Sequence, residues 1–155
     1  MAPQMSEESL NPAQPQKSNK GWFNFDPSKP VEQLPPLALA YMGDAIHEVA
    51  IRQYLLSGKN LRPHHLHRSS TSFVSAGAQA KILAHLEPSL TEAESNVVRQ
   101  GRNAKSGTIP KNASVIDYRY ATAWECLLGY LYYKGEHARM EQLITEGIRH
   151  LEKQS

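Results

Sequence analysis

Two acids in this chain stand where acids are costly. Glu125 falls in the run Ala121-Thr122-Ala123-Trp124-Glu125-Cys126-Leu127-Leu128-Gly129, which is apolar almost throughout. A lone buried carboxylate carries a desolvation penalty of several kcal/mol, so it must be paired, be protonated or bind a metal. On a helix, one turn back from Glu125 lie Ala121 and Thr122, and one turn on lie Leu128 and Gly129; the nearest cation on that face is Arg119, nearly two turns away. Asp44 poses the same question within Tyr41-Met42-Gly43-Asp44-Ala45-Ile46. Gly and Asp are both poor helix formers, and local conflicts of this kind collect at functional sites. Gly43 and Gly129 would permit two helix backbones to approach closely. Two acids on such a pair of helices supply oxygen ligands for one hard cation, with waters completing an octahedron. The other reading is a structural ion pair with Arg or His.

The elements that would position these acids read as helix after helix. Pro35-Pro36 opens an apolar-periodic run from Leu37 to Leu56, with Leu39, Met42, Ile46, Val49 and Ala50 at three- and four-residue spacing, closed by Ser57-Gly58. Arg62-Pro63 starts a second run to about Leu86, with Leu66, Phe73, Ala76, Ala80 and Leu83 as its core face and the cluster Ser69–Ser72 as its expected break. Thr91-Glu92-Ala93-Glu94 has the form of a capping box opening a short helix to about Gln100, which Gly101 is expected to end. A long helix from about Ser114 to Lys134 is apolar nearly all round and belongs in the middle of a bundle. Gly135 separates it from a last amphipathic helix carrying Met140, Leu143, Ile144, Ile148 and Leu151 on one side. No alternating run argues for a sheet, so the expected class is all-α.

The chain of 155 residues is long enough for one domain with a real core, expected over residues 31–152. Residues 1–30 hold five prolines and few aliphatics before Trp22, which predicts a disordered tail with Trp22-Phe23-Asn24-Phe25 as a docking anchor. No secretory signal and no run of membrane-spanning length is present, and the single Cys126 rules out an internal disulfide, so a soluble intracellular protein is expected. Net charge is only +2, yet residues 51–120 hold ten Lys and Arg against four acids, a balance that suits a polyanionic partner or an ordinary solvated surface. His64, His65 and His67 lie close together without further ligands to complete a metal site. Tyr130, Tyr132 and Tyr133 have the spacing of core or interface residues, and Cys126 reads as a small buried residue. Glu48, one turn after Asp44, is read either as a neighbour of the site or as merely exposed.

The acidic motifs carry a family resemblance. Tyr41-Met42-Gly43-Asp44-Ala45 resembles the core of the ribonuclease III signature, and Glu125 through Tyr132 resembles the family's second acidic motif. The likeness spans about residues 31–152. Leu37, Ala40 and Thr122 stand where the longer family pattern has acids, which is similar to the compact subclass Mini-ribonuclease III. The stretch from Gly101 to Gly107 and the run from Tyr118 to Glu125 also look like that subclass. With the sequence ending at Ser155, no separate double-stranded-RNA-binding domain is expected. The resemblance implies a homodimeric ribonuclease III-type helical bundle with a valley for an RNA duplex between subunits and Tyr41 near the dimer contact.

The same resemblance implies a Mg²⁺-dependent endoribonuclease that cuts double-stranded RNA and leaves a 5′-phosphate and a 3′-hydroxyl, with Asp44 and Glu125 as catalytic metal ligands. Precursor 23S ribosomal RNA is the substrate it points to, in a bacterial cytoplasm or, second, a plastid. A-form RNA is recognised mainly by shape, phosphate and 2′-hydroxyl. The basic stretch around 101–111 must then supply the grip, with Arg99, Arg102, Lys105, Lys111 and Arg119 as the candidates. Two other readings stand beside this one. A ribonuclease III-like domain without activity would bind RNA or the ribosome structurally, and a helical interaction module would have no RNA affinity.

Overall fold

Pro36 occupies the first turn of the first helix, where its missing N–H removes nothing, and the helix it opens runs 21 residues before Ser57. The computed structural model describes residues 21–105, 109, 111 and 114–154. Their helices are α1 (Pro36–Leu56), α2 (Pro63–Val74), α3 (Ala76–Leu86), α4 (Glu92–Asn103), α5 (Val115–Lys134) and α6 (His137–Lys153). Two single 3-10 turns, Val31–Gln33 and Glu87–Ser89, precede α1 and α4, and no strand occurs among the described residues. The expected all-α architecture is therefore the one observed.

The all-apolar helix is the axis of the bundle, as its pattern requires. Helix α5 packs against α1, α3, α4 and α6. Its Trp124, Leu127, Leu128 and Leu131 are fully buried with Ile51 of α1 and Leu83 of α3. A second, smaller cluster joins Val31, Leu39, Ala40, Val97 and Cys126. Ser114 caps α5 by accepting from the Asp117 amide at 3.2 Å, and Gly135 closes it in the left-handed conformation at φ 78°. Thr91 and Glu94 form the expected capping box, each side chain accepting from the other's backbone amide.

Glu94 is also the paired acid that ordinary structural use requires. It is 3 % exposed, and Arg139 of α6 meets both its oxygens at 2.9 Å while also donating to the Ser89 carbonyl at 3.0 Å. Burial opposes ionisation of Glu94, but the Arg139 and Thr91 contacts outweigh it and hold its pKa below the usual range.

Three expectations change in the structure. The second apolar run breaks at Ser75, not within Ser69–Ser72. Thr71 and Ser72 fold their hydroxyls back onto the carbonyls of His67 and Ser69, which a continuing helix tolerates. Ser75 instead caps α3, its Oγ accepting from Ala78 at 3.2 Å. Helix α4 does not stop at Gly101 but continues to Asn103. Gly101 is buried there because a Cβ would come within 2.9 Å of Ala123 Cα and Cys126 Cβ. Of the anchor residues, only Trp22 docks: its amide donates to Tyr132 Oη at 2.6 Å and its ring meets Tyr132 edge-on. Phe23 and Phe25 are exposed. The remainder of the expected disordered tail, residues 1–20, lies outside the described residues.

Gly43 and Gly129 make the close approach that their positions anticipated. A Cβ on Gly43 would overlap the Glu125 carbonyl, and a Cβ on Gly129 would overlap the Leu39 carbonyl. The obstacles are backbone atoms of the opposing helix, which cannot swing aside. Gly43→Ala is therefore expected to destabilise the fold by about 3 kcal/mol, the upper end of overpacking costs, despite alanine's better helix propensity. Urea denaturation checks this, and a variant as stable as the parent would show that α1 and α5 are not pinned there.

Candidate active site

The α1–α5 contact carries both acids to one place. Gly43 faces the α5 backbone, and the next residue is turned about 100° around the helix, to the lip of the contact. Asp44 stands there, exposed. This corrects the expectation of a buried Asp44: the glycine takes the buried position and the acid its rim. Glu125 is half-buried on the facing side of α5, within hydrogen-bonding reach of the Asp44 carboxyl.

A histidine that the sequence did not single out fixes this arrangement. His47, one turn after Asp44, is 1 % exposed. Its Nδ1 accepts from Trp124 Nε1 at 3.1 Å, which places the ring proton on Nε2, and Nε2 donates to the Phe73 carbonyl at 2.9 Å. Burial lowers the His47 pKa and keeps the ring neutral, as the bond from Trp124 requires. Trp124 adjoins Glu125 in sequence, so this bridge sets the rotation of α1 against α5 beside the acids.

The charge balance at the pair is one-sided. Burial, then the Asp44 carboxylate beside it, push the Glu125 pKa up to about 8, and the nearby Gln79 carboxamide pulls only weakly the other way. No cation offsets this among the described residues, in contrast to Glu94 with its arginine. Gln79 of α3 is the third side chain at the site. It is 4 % exposed, its Nε2 donates to the Val74 carbonyl at 2.9 Å, and its Oε1 is buried with no partner among the described residues. Two carboxyl groups with no cation to offset them, beside a carboxamide whose oxygen is unpartnered among the described residues, make an oxygen-rich site, which suits a hard divalent cation and its waters.

The positions that depart from the family's acids supply nothing to the pair. Thr122 turns its hydroxyl onto the Tyr118 carbonyl at 3.0 Å, Ala40 lies in the second core cluster and Leu37 is a half-exposed aliphatic at the start of α1. No group of three or more His, Cys, Asp or Glu among the described residues is placed to hold a metal. His64 and His65 point into contacts one turn on, with Arg68 and Ser69, and do not converge. Glu48 pairs with Arg52 at 3.3 Å along the surface of α1. Cys126 is buried and its thiol pKa is pushed up to about 12.

The basic candidates fall into two groups. Lys105 and Arg119 line one surface pocket with Gly101, Tyr118 and Thr122, of which Thr122 lies one turn of α5 before Glu125. Arg102 lies over the Tyr120 ring, 5.7 Å from its centroid. Arg99 is exposed and held by Asn96 on α4, and Lys111 is exposed. The loop between them, residues 106–108, 110 and 112–113, lies outside the described residues.

A helical bundle that brings two uncompensated acids together and carries exposed Lys and Arg from α4 to the start of α5 suits a polyanionic partner. The Ribonuclease III domain family matches residues 37–136, and the chain belongs to this family of endoribonucleases, which act on double-stranded RNA and are generally metal-dependent. It is 45% identical over 120 residues to the Mini-ribonuclease 3 of Brevibacillus brevis, covering 77% of this chain and 90% of that protein. It is 49% identical over 120 residues to the Mini-ribonuclease 3 of Enterococcus faecalis, covering 76% and 91%. A crystal structure of a Fusobacterium nucleatum protein superposes with a TM-score of 0.71 at 30% identity, covering 79% of this chain and 98% of that one.

The raised Glu125 pKa has a consequence for the metal-free protein. Glu125 binds its proton up to about pH 8 when folded but only to about 4.5 when unfolded, so stability declines as pH rises through that window. Glu125→Gln removes this loss. In EDTA its Tm is expected to exceed the parent's by a margin that is small near pH 4.5 and grows toward pH 8. A margin independent of pH would contradict the proton-holding carboxyl.

Proposed function

We propose that this chain is a Mg²⁺-dependent endoribonuclease that cuts double-stranded RNA with Asp44 and Glu125 as its metal ligands. The observation that carries the reading is the pair itself: two carboxyls within hydrogen-bonding reach on different helices, with no cation to offset them among the described residues. When bound, Mg²⁺ supplies a lowered pKa for a coordinated water and neutralises charge on the scissile phosphate. Asp44, exposed at the lip, is the acid open to RNA; Glu125, half-buried and braced by the Trp124–His47 bond, is the fixed one. With Leu37, Ala40 and Thr122 contributing no carboxylate, more of the coordination is left to water and RNA phosphate. The products carry a 5′-phosphate and a 3′-hydroxyl.

Lys105 and Arg119, which share one surface pocket between α4 and α5, grip phosphates flanking the cut, while Arg99, Arg102 and Lys111 extend the basic surface. The working form is a homodimer with Tyr41, which is 84 % exposed in the single chain, at its contact. The natural substrate is precursor 23S ribosomal RNA in the bacterial cytoplasm. The name shared by the relatives supports the choice of substrate. Among the described residues no helix is long and apolar enough to cross a membrane.

Cleavage of a long RNA duplex with and without Mg²⁺ tests the reading. Asp44→Asn is expected to bind the duplex and lose cutting by at least about a hundredfold, comparable to loss of a metal ligand or its support. Lys105→Ala and Arg119→Ala are expected to weaken binding and each lower the salt slope of affinity by about one. Light scattering that gives the mass of one chain under cleaving conditions would remove the dimer. Duplex binding with no cutting by the parent at any Mg²⁺ concentration would leave a structural RNA-binding relative instead.

A further inference from the structure

We propose that Gln79 is a positioning residue of the acidic pair: its carboxamide braces Glu125 and offers its free oxygen to water of the metal's shell. The inference rests on the reading of Asp44 and Glu125 as metal ligands. Gln79 is 4 % exposed on a helix, α3, that belongs to neither acid. A buried carboxamide is costly unless its polar atoms are satisfied. Half of this one is: Nε2 donates to the Val74 carbonyl, just ahead of the Ser75 cap, at 2.9 Å. That bond also fixes the amide orientation, because the flipped form would set Oε1 against a carbonyl oxygen. The second Nε2 hydrogen is left for Glu125, whose carboxyl lies within side-chain hydrogen-bonding range of Gln79. Oε1 is then left buried without a partner among the described residues.

An apolar side chain would fill this position at no such cost, and its neighbours Ala78, Ala80, Ile82 and Leu83 are all apolar and buried. The break at Ser75 is what brings the Val74 carbonyl into reach of Gln79, since Val74 lies at the end of α2 and its carbonyl is released from the helix ladder. The donor end therefore holds Glu125 in place, and the acceptor end adds to the carboxylates a neutral, unpartnered oxygen for a hydrogen of coordinated water. This matters more here than with a full set of acids, because two carboxylates leave most of a divalent ion's shell to water.

Gln79→Met keeps length and volume and removes both polar ends. The full chain carrying it is compared with the parent by Mg²⁺ titration of thermal stability without RNA, and by duplex cleavage. The expected results are a Mg²⁺ midpoint raised about tenfold and kcat lowered about 10–100-fold, with KM for the duplex unchanged because Gln79 does not reach RNA. A Mg²⁺ midpoint and kcat equal to the parent's would overturn the proposal; so would a fall in stability alone. If the variant does not fold, the side-chain amide resonance of Gln79 in the parent decides. It is expected to shift with Mg²⁺ at the midpoint of the stability titration, and an unmoved resonance refutes the role. Asp44→Asn separates the two readings: if it keeps the Mg²⁺ response, the acidic pair is not the metal site and the failure lies there, whatever Gln79 does.

Discussion

At Gly43 the backbone of α1 lies on the carbonyl of Glu125, and at Gly129 the backbone of α5 lies on the carbonyl of Leu39. Everything at the site depends on this double contact. A glycine inside a helix costs about 1 kcal/mol against alanine. Two such costs, one per helix, give an approach that any Cβ would prevent. The reward is geometric: Asp44 follows Gly43 directly, and Glu125 is itself the residue that Gly43 touches. The acids meet because their backbones meet.

The contact would be free to slide or rotate without a second restraint, and the His47 bridge supplies it. Trp124 donates to His47, His47 donates to Phe73, and three helices are tied by one neutral imidazole. Buried hydrogen bonds of this kind contribute modestly when made but are expensive to leave unmade, so each rotation of α1 that breaks them is disfavoured. Rigid placement by packed neighbours is what keeps two acids on different helices in one geometry.

Glu94, buried, and Glu125, half-buried, show how environment divides two acids into different uses. Breaking a buried ion pair from one side costs about 3–5 kcal/mol, which makes the Glu94–Arg139 pair a fastening between α4 and α6. Glu125 has a second acid beside it instead of an arginine, and its pKa moves in the opposite direction. The first arrangement adds stability and the second expends it, in the manner of sites shaped by function rather than by folding.

The sequence by itself determined the helices, the central place of α5 and the identity of the two acids. These follow from the 3.6-residue period, from Pro, Ser, Thr and Gly at helix ends, and from the cost of carboxylates in apolar runs, all of which are local. The pairing of Gly43 and Gly129 was legible too, as glycines beside acids in mid-helix. Only the tertiary structure decided which atoms surround the pair. It made Asp44 a rim residue, turned Gly101 from a helix end into a packing position, paired Glu94 with Arg139 across 45 residues and brought Gln79 and His47 in from positions with no motif to mark them. In sequence a buried glutamine or histidine looks like any other polar residue on a helix. Its partners, which alone tell a brace from a surface group, are set by how the helices pack.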